Sequence, residues 1–464
     1  MKLKTYIFLI FCTLAVNMSI GQSPHLKGTL DISIKEGKIK ANILVTNIPR
    51  IDSSSIRLNA GLNIKSFLDS AGKNNFYANH FYDGEKTEEA LQYYFPSDDN
   101  KYHFLPHAFQ ISYVGSFPVY ADTTEMTEWG DWKGNIAFNS KTLRASEQSV
   151  WYPILTDLKN DKVYNNVSYD LIINCSDCKS IYINGSQPVE GTQKRFVSET
   201  PVPLLIYAGD FKIVKQNKTY FLNSHLTIPE IVEADKWIAK IKAFYEDKLK
   251  TPYGKDITIV EAEPVSKKND WMFVTYPTIA INNRKAGLKS YFDAANPLKK
   301  PNFTPFIAHE LGHYYFGSIV EPNSELRWMY LEGIAEYLSL QVVRNIMPDS
   351  FYNKKLQNYL KNIDTERDFT PLNKVQKISD INETYRYQYV PLLLTLLENQ
   401  IGQEMMWKWL KYLLDNPKQK TNYDWFKKSL LDIGVKESVY LNFENTYMND
   451  KNAVESVLTS FKQK

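Results

Sequence analysis

At 464 residues the chain exceeds one ordinary domain, and its 43% hydrophobic and 23% charged side chains exclude a disordered polymer. With 55 basic against 52 acidic side chains the net charge is +3, which leaves no electrostatic footprint for nucleic acid. Aromatics reach 14%, a richness that suits a β-containing protein with an organic ligand.

The first 21 residues read as a targeting segment. Lys2 and Lys4 supply a positive start, Tyr6 to Val16 is a mostly apolar stretch, and Ser19-Ile20-Gly21 offers small residues for cleavage. The apolar stretch is short for a membrane span, so the expectation is export to the periplasm or beyond, with no span in the mature chain. Cys12 follows bulky Phe11, which argues against lipid attachment. Removing the leader leaves Cys175 and Cys178, and in an oxidising compartment a disulfide across this tight turn is expected. Half of a zinc knuckle is the alternative, but it lacks a second cysteine pair.

From Gln22 to about Leu205 the pattern is β, with helical periodicity scarce. Leu30, Ile32 and Ile34 alternate with polar residues, Glu36-Gly37 turns the chain, and Ile39, Ala41, Ile43 and Val45 alternate again. Further strands are expected at Ala108 to Val114, Val167 to Ile173 and Ser180 to Ile183, the last entering the Asn184-Gly185 turn. An antiparallel sheet or sandwich over 22–205 fits. Pro201-Val-Pro203 looks like the join to the next domain.

Beyond it, Phe211 to Val214 and Thr219 to Leu222 read as a hairpin. Ile228 to Leu249 reads as a helix with Pro229 at its start. Ile257 to Val260 and Met272 to Ile281 return to strands, and after Pro305 the chain is mostly helical, including Gln388–Ile401 and Glu404–Leu414. The expected architecture is α+β: a β domain at 22–205, a catalytic domain at 206–405 and a helical segment at 406–464.

The chemistry concentrates in Phe306-Ile-Ala-His309-Glu310-Leu-Gly-His313-Tyr-Tyr-Phe-Gly317. Two histidines four apart on a helix share a face, so their imidazoles can converge on one ion. Glu310 beside the first can take a proton from a bound water. Chance would place H-E-x-x-H on the order of 0.01 times in a chain of this composition, so the motif outweighs coincidence. Glu332, 18 intervening residues after His313, lies in Trp328-Met-Tyr-Leu-Glu332-Gly-Ile-Ala-Glu336-Tyr337, which reads as a second helix beside the first. Two neutral imidazoles plus one carboxylate favour a single zinc with a place left for water. Glu336, one turn beyond Glu332, is placed to accept the spare N–H of a ligand histidine; a surface ion pair is the bland alternative. The other histidines, His25, His80, His103, His107 and His225, show no ligand spacing, since Pro106 breaks the His103–His107 face.

H-E-L-G-H-Y-Y-F-G followed by L-E-G-I-A-E-Y resembles the alanyl aminopeptidase family of gluzincins, relatives of leukotriene hydrolase. Phe244-Tyr-Glu-Asp-Lys-Leu-Lys-Thr-Pro-Tyr253 also resembles the family's stretch before its catalytic sheet, and the resemblance runs from about 200 to 405. It implies a thermolysin-like zinc catalytic domain after an N-terminal β domain, acting on peptides. It further implies an oxyanion-stabilising tyrosine, matched by Tyr387 ahead of Leu397-Glu398-Asn-Gln-Ile401-Gly402 rather than by Tyr385 or Tyr389. One departure stands out. The family's exopeptidases carry a G-x-M-E-N loop whose glutamate binds the substrate's α-amine, and the stretch Asn269 to Tyr276 here has neither that Gly nor that Glu; Asp270 is at the wrong offset. The expected function is therefore zinc-dependent peptide hydrolysis with Glu310 as base and Tyr387 as oxyanion donor, aminopeptidase-like with exo or endo action open. The rival from another class is a zinc-retaining peptide-binding scaffold, against which the retained Glu310 speaks. Epoxide hydrolysis, which one relative performs, finds no lipid-pocket signal in this chain.

Overall fold

The computed structural model describes residues 23–51, 53–73, 77–79, 90–94, 105–121, 130–160, 162–268, 270–293, 300, 302–366, 369–448 and 452–462. The expected leader, His80 and His103 lie outside them. Among the described residues no helix is long and apolar enough to cross a membrane.

The N-terminal region is built from sheets, as its alternating pattern requires. In Lys38–Thr46 every second residue, Ile39, Ala41, Ile43 and Val45, is buried while its neighbours face outward. This strand sits inside a six-stranded sheet with His25–Ser33, Phe109–Ser116, Leu62–Leu68, Asn166–Cys175 and Gln193–Pro203. The sheet is antiparallel except where His25–Ser33 runs parallel to Asn166–Cys175, a pairing joined only through the long intervening chain. Two further sheets close a core that includes Trp151, Tyr113 and Tyr169. Cys175 and Cys178 form the disulfide of a tight turn. Ile206–Gly209 pairs with Thr142–Ala145 and Ser180–Ile183, so sheet membership of this region runs past residue 205 to Gly209. The prolines at 201 and 203 do not end it, because they lie at the end of Gln193–Pro203, an edge strand.

A fourth, mixed sheet follows. Thr219–Leu222, Ile257–Ala262 and Thr278–Asn282 are parallel neighbours, flanked by antiparallel edges Ile213–Gln216 and Met272–Thr275. The run expected as strand from Met272 to Ile281 is thus a hairpin folded at Tyr276-Pro277. Around this sheet pack α1 (Ile228–Leu249), α2 (Phe303–Tyr315), α3 (Ile334–Ile346), α4 (Asp349–Thr365) and α5 (Val390–Ile401), then α6 (Gln403–Asp415), α7 (Tyr423–Asp432), α8 (Glu437–Tyr447) and α9 (Ala453–Lys462). Helix α1 begins where Thr227 and Pro229 direct it, with the Glu230 carboxylate accepting from the Thr227 backbone N–H at 2.7 Å. The helices from Gln403 onward share one hydrophobic core with α2, α3 and α5, so no packing break marks the expected 405/406 boundary. A small aromatic cluster of Tyr182, Tyr207, Phe211 and Tyr220 joins the β region to the mixed sheet.

Candidate metal centre and active site

The site begins with the contact between α2 and α3. A Cβ at Gly312 would come within 3.3 Å of the Ala335 Cα, so this glycine lets the two helices approach closely. Ser339 on α3 donates to the Pro305 carbonyl at 2.8 Å and Tyr245 on α1 donates to the Ala308 carbonyl at 2.8 Å. The residue before His309 is therefore clamped from the α1 side. Just ahead of α3, residues Met329–Gly333 make a π-helical turn that carries Glu332. A Cβ at Gly333 would come within 2.4 Å of Val390, at the start of α5, and a second π-helical turn, Tyr385–Tyr389, immediately precedes that helix. Such wide turns carry one extra residue and redirect side chains, and here both supply site residues.

The helices bring His309, His313 and Glu332 together. The His309 and His313 Nε2 atoms are 3.1 Å apart, and the Glu332 Oε2 lies 3.2 Å from the first and 3.4 Å from the second. A tetrahedral zinc with bonds of 2.0–2.1 Å requires ligand atoms about 3.3 Å apart, so these three residues fit that ion. The donor set agrees in chemistry as well as size, and both rings are buried.

His309 presents Nε2 to this point because its other nitrogen is held. Nδ1 lies 2.8 Å from the Glu336 Oε2, and Glu336 is itself held by Lys355 at 2.7 Å and by the Tyr359 hydroxyl. His313 Nδ1 lies 3.4 Å from the Phe316 carbonyl. Burial disfavours a charge on Glu336, but Lys355 and His309 outweigh it and hold the carboxyl down at about 2. Burial likewise opposes protonation of His309, yet Glu332 and Glu336 carry it up to about 10. Negative charge is thus gathered around the imidazoles. Glu310 is buried beside them, and burial raises its carboxyl above the ordinary value against the pull of His309 and His313.

The three neighbouring tyrosines part company. Tyr385 is fully buried and donates to the Thr370 carbonyl at 2.9 Å, while Tyr389 is buried and donates to the Tyr447 carbonyl at 3.2 Å. Tyr387 instead turns to this cluster, its ring 5.8 Å from that of His309. Burial, with Glu332, holds its phenol protonated well above the usual range. Arg386 covers the ring at 5.1 Å and stacks on Trp328 at 4.5 Å. Farther back, Glu398 ties α5 to α3 by accepting from Tyr337 at 2.6 Å, Gln341 at 2.8 Å and Arg344 at 2.6 Å.

Lys355, Tyr359 and Arg386 went unread in the sequence. The first two are four apart on one face of α4, whose apolar pattern is weak, and nothing local marks their partner as Glu336. Among the described residues the other histidines stand apart from this cluster. His25 contacts Ser168 and His225 contacts the buried Glu261. Asp270 pairs with Arg284 and Lys285 at the surface.

Residues 240–447 match the family model described as the peptidase family M1 domain. Solved structures similar to this chain include native yeast LTA4 hydrolase, with a TM-score of 0.63 and 14% identity over 91% of this chain and 66% of that one. Native leukotriene A4 hydrolase from Saccharomyces cerevisiae gives 0.61 and 13% over 90% and 66%. The chain thus spans just under two thirds of the length of those proteins, and at this identity the likeness is one of fold. No curated protein matches the chain by sequence.

Proposed function

We propose that this chain, a gluzincin relative of the M1 aminopeptidase family, hydrolyses peptide bonds with one zinc ion held by His309, His313 and Glu332. The observation that carries the reading is the spacing of those three ligand atoms, 3.1 to 3.4 Å apart, with Glu310 and Tyr387 beside them. Zinc bound there would polarise the scissile carbonyl and acidify water in the position the three ligands leave open. Glu310 accepts the proton of the attacking water and returns it to the departing amine, a role served by a carboxyl that burial raises above its ordinary value. Tyr387 donates its phenolic proton in a hydrogen bond to the oxygen that gains charge. Glu336, steadied by Lys355 and Tyr359, fixes the His309 ring so that Nε2 faces the ion. The leader-like start of the chain supports export, so peptides outside the cytoplasm are the substrate we assign. The edge strand Met272–Thr275 carries no carboxylate, which leaves the amine-binding role of an aminopeptidase without its expected residue.

The test is hydrolysis of a peptide pool by purified protein, with and without chelator, beside Glu310→Gln. Chelation should abolish turnover and zinc should restore it. Glu310→Gln should keep its zinc yet lose about 100- to 10,000-fold in kcat. Turnover indifferent to both changes would remove the peptidase reading.

A further inference from the structure

Strand Met272–Thr275 forms one edge of the catalytic sheet and packs against α2, which carries the metal-binding histidines. The β region reaches this strand with two charged side chains. The Lys133 Nζ donates to the Val274 carbonyl at 2.7 Å and pairs with the Glu147 Oε1 at 2.5 Å. The other oxygen of Glu147 accepts from the Thr275 hydroxyl at 2.8 Å. Both side chains are mostly removed from water, at 17% and 9% exposure, so the pair is a fixed part of the wall.

An ammonium group has three N–H donors and accepts nothing, so a carboxylate oxygen together with a peptide carbonyl is the kind of cradle it needs. A peptide with a free N-terminus brings such a group to a metallopeptidase site. Here an ammonium of the chain's own already fills the cradle. Among the described residues the other carboxylates around the site are engaged: Glu332 on both histidines, Glu336 on His309, Lys355 and Tyr359, and Asp270 on Arg284 and Lys285. Glu310 is the base. A free α-ammonium arriving at this cradle would meet a like charge already held by Glu147 and the Val274 carbonyl, whereas an acylated nitrogen carries no charge to repel.

We propose that the Lys133 Nζ, held by Glu147 and the Val274 carbonyl, occupies the place of a substrate α-ammonium, and that the site takes peptides whose N-terminal side is blocked or continues as chain. This rests on the peptidase reading. Lys133 is then a specificity-determining residue supplied by the β region, and the edge strand is its platform.

The experiment uses the zinc-loaded full chain and two fluorogenic peptides. One has a free amino acid directly before the scissile bond; the other is identical but N-acetylated. The wild type should favour the acetylated peptide in kcat/KM. Lys133→Met removes the ammonium while keeping an apolar stem of similar length, and should raise the free-to-acetylated ratio about ten-fold or more by exposing Glu147. Lys133→Met/Glu147→Gln should return the ratio to the wild-type value, and Lys133→Arg should keep it there. A wild type that favours the free peptide overturns the assignment, and that arm stands even if Lys133→Met fails to fold. A smaller rise in a folded Lys133→Met also overturns it. If neither peptide is cleaved in a chelator-sensitive way, the peptidase reading itself falls. Hydrolysis with an unmoved ratio removes only the role of Lys133.

Discussion

The two walls of the active-site region are made in opposite ways. The helical wall draws His309, Glu310, His313, Glu332 and Glu336 from fewer than thirty consecutive residues, on two helices in direct contact and the π-helical turn that leads into the second. The facing wall is an edge strand held by Lys133, Arg144, Glu147 and Asn184, which come from the β region more than ninety residues earlier. Helical spacing decides the first, since residues four apart share a face whatever surrounds them. Only tertiary packing decides the second. On the proposed function, chemistry is encoded locally and selectivity remotely, so damage to one wall should leave the other in working order.

The largest separation of the two is expected from Arg144. Its guanidinium is 2% exposed, pairs with the equally buried Asp131 at 2.7 Å, and lies over the Trp271 ring at 4.7 Å. Arg144→Met leaves the Asp131 carboxylate buried without its partner, at a cost of about 3–5 kcal/mol. The Tm should fall accordingly and KM should rise as the edge strand loosens. Zinc affinity, set by the helical wall, should hold. Arg144→Met/Asp131→Leu, which removes both charges, should recover most of the lost Tm. Zinc titration beside thermal unfolding checks this, and a parallel loss of zinc affinity would show that the two walls are coupled.

Tyr387 gives the next effect. Tyr387→Phe should lower kcat about 100- to 1,000-fold with KM and Tm nearly unchanged, as loss of one oxyanion donor does elsewhere. Tyr385→Phe and Tyr389→Phe each remove a buried hydrogen bond to a carbonyl and should cost about 1 kcal/mol of stability while sparing kcat. If Tyr385→Phe proved the damaging change in kcat, the roles within the π-helical turn would have to be exchanged.

That turn marks where the sequence stops speaking. The bounds of α1, Ile228–Leu249, and of the strand Ser180–Ile183 were legible because a proline with helical spacing behind it and an Asn-Gly turn punctuate them. The α+β order was legible from the change of period. The two π-helical turns were not, since the extra residue leaves no mark in an apolar pattern already dense with tyrosine. The strand Ile206–Gly209 was assigned forward because the prolines before it look like a join, yet its partners at 142–145 and 180–183 lie behind it. Lys133 and Glu147 were silent altogether. A lysine and a glutamate fourteen residues apart in a β region have no spacing rule, and their meaning comes only from the Val274 carbonyl and Thr275 hydroxyl on a distant strand.

The smallest effect lies on another seam between the regions, at Glu321. It follows the metal helix, and its carboxylate accepts from the Asn166 amide of the β region at 2.7 Å. Burial raises its carboxyl above the ordinary value, with Lys162 and Asn166 opposing the rise. A carboxyl raised on folding binds its proton more tightly in the native state. Its favourable contribution is therefore complete below the unfolded value and is lost as pH climbs through the folded one. Glu321→Gln keeps the amide's acceptor and removes the titration. The variant should match the wild type at acid pH and become the more stable by under about 1 kcal/mol toward neutrality, read as a Tm difference that widens with pH. A variant less stable than wild type at neutral pH would mean that the Glu321 charge, through Lys162, holds the regions together, and that this seam is ionic.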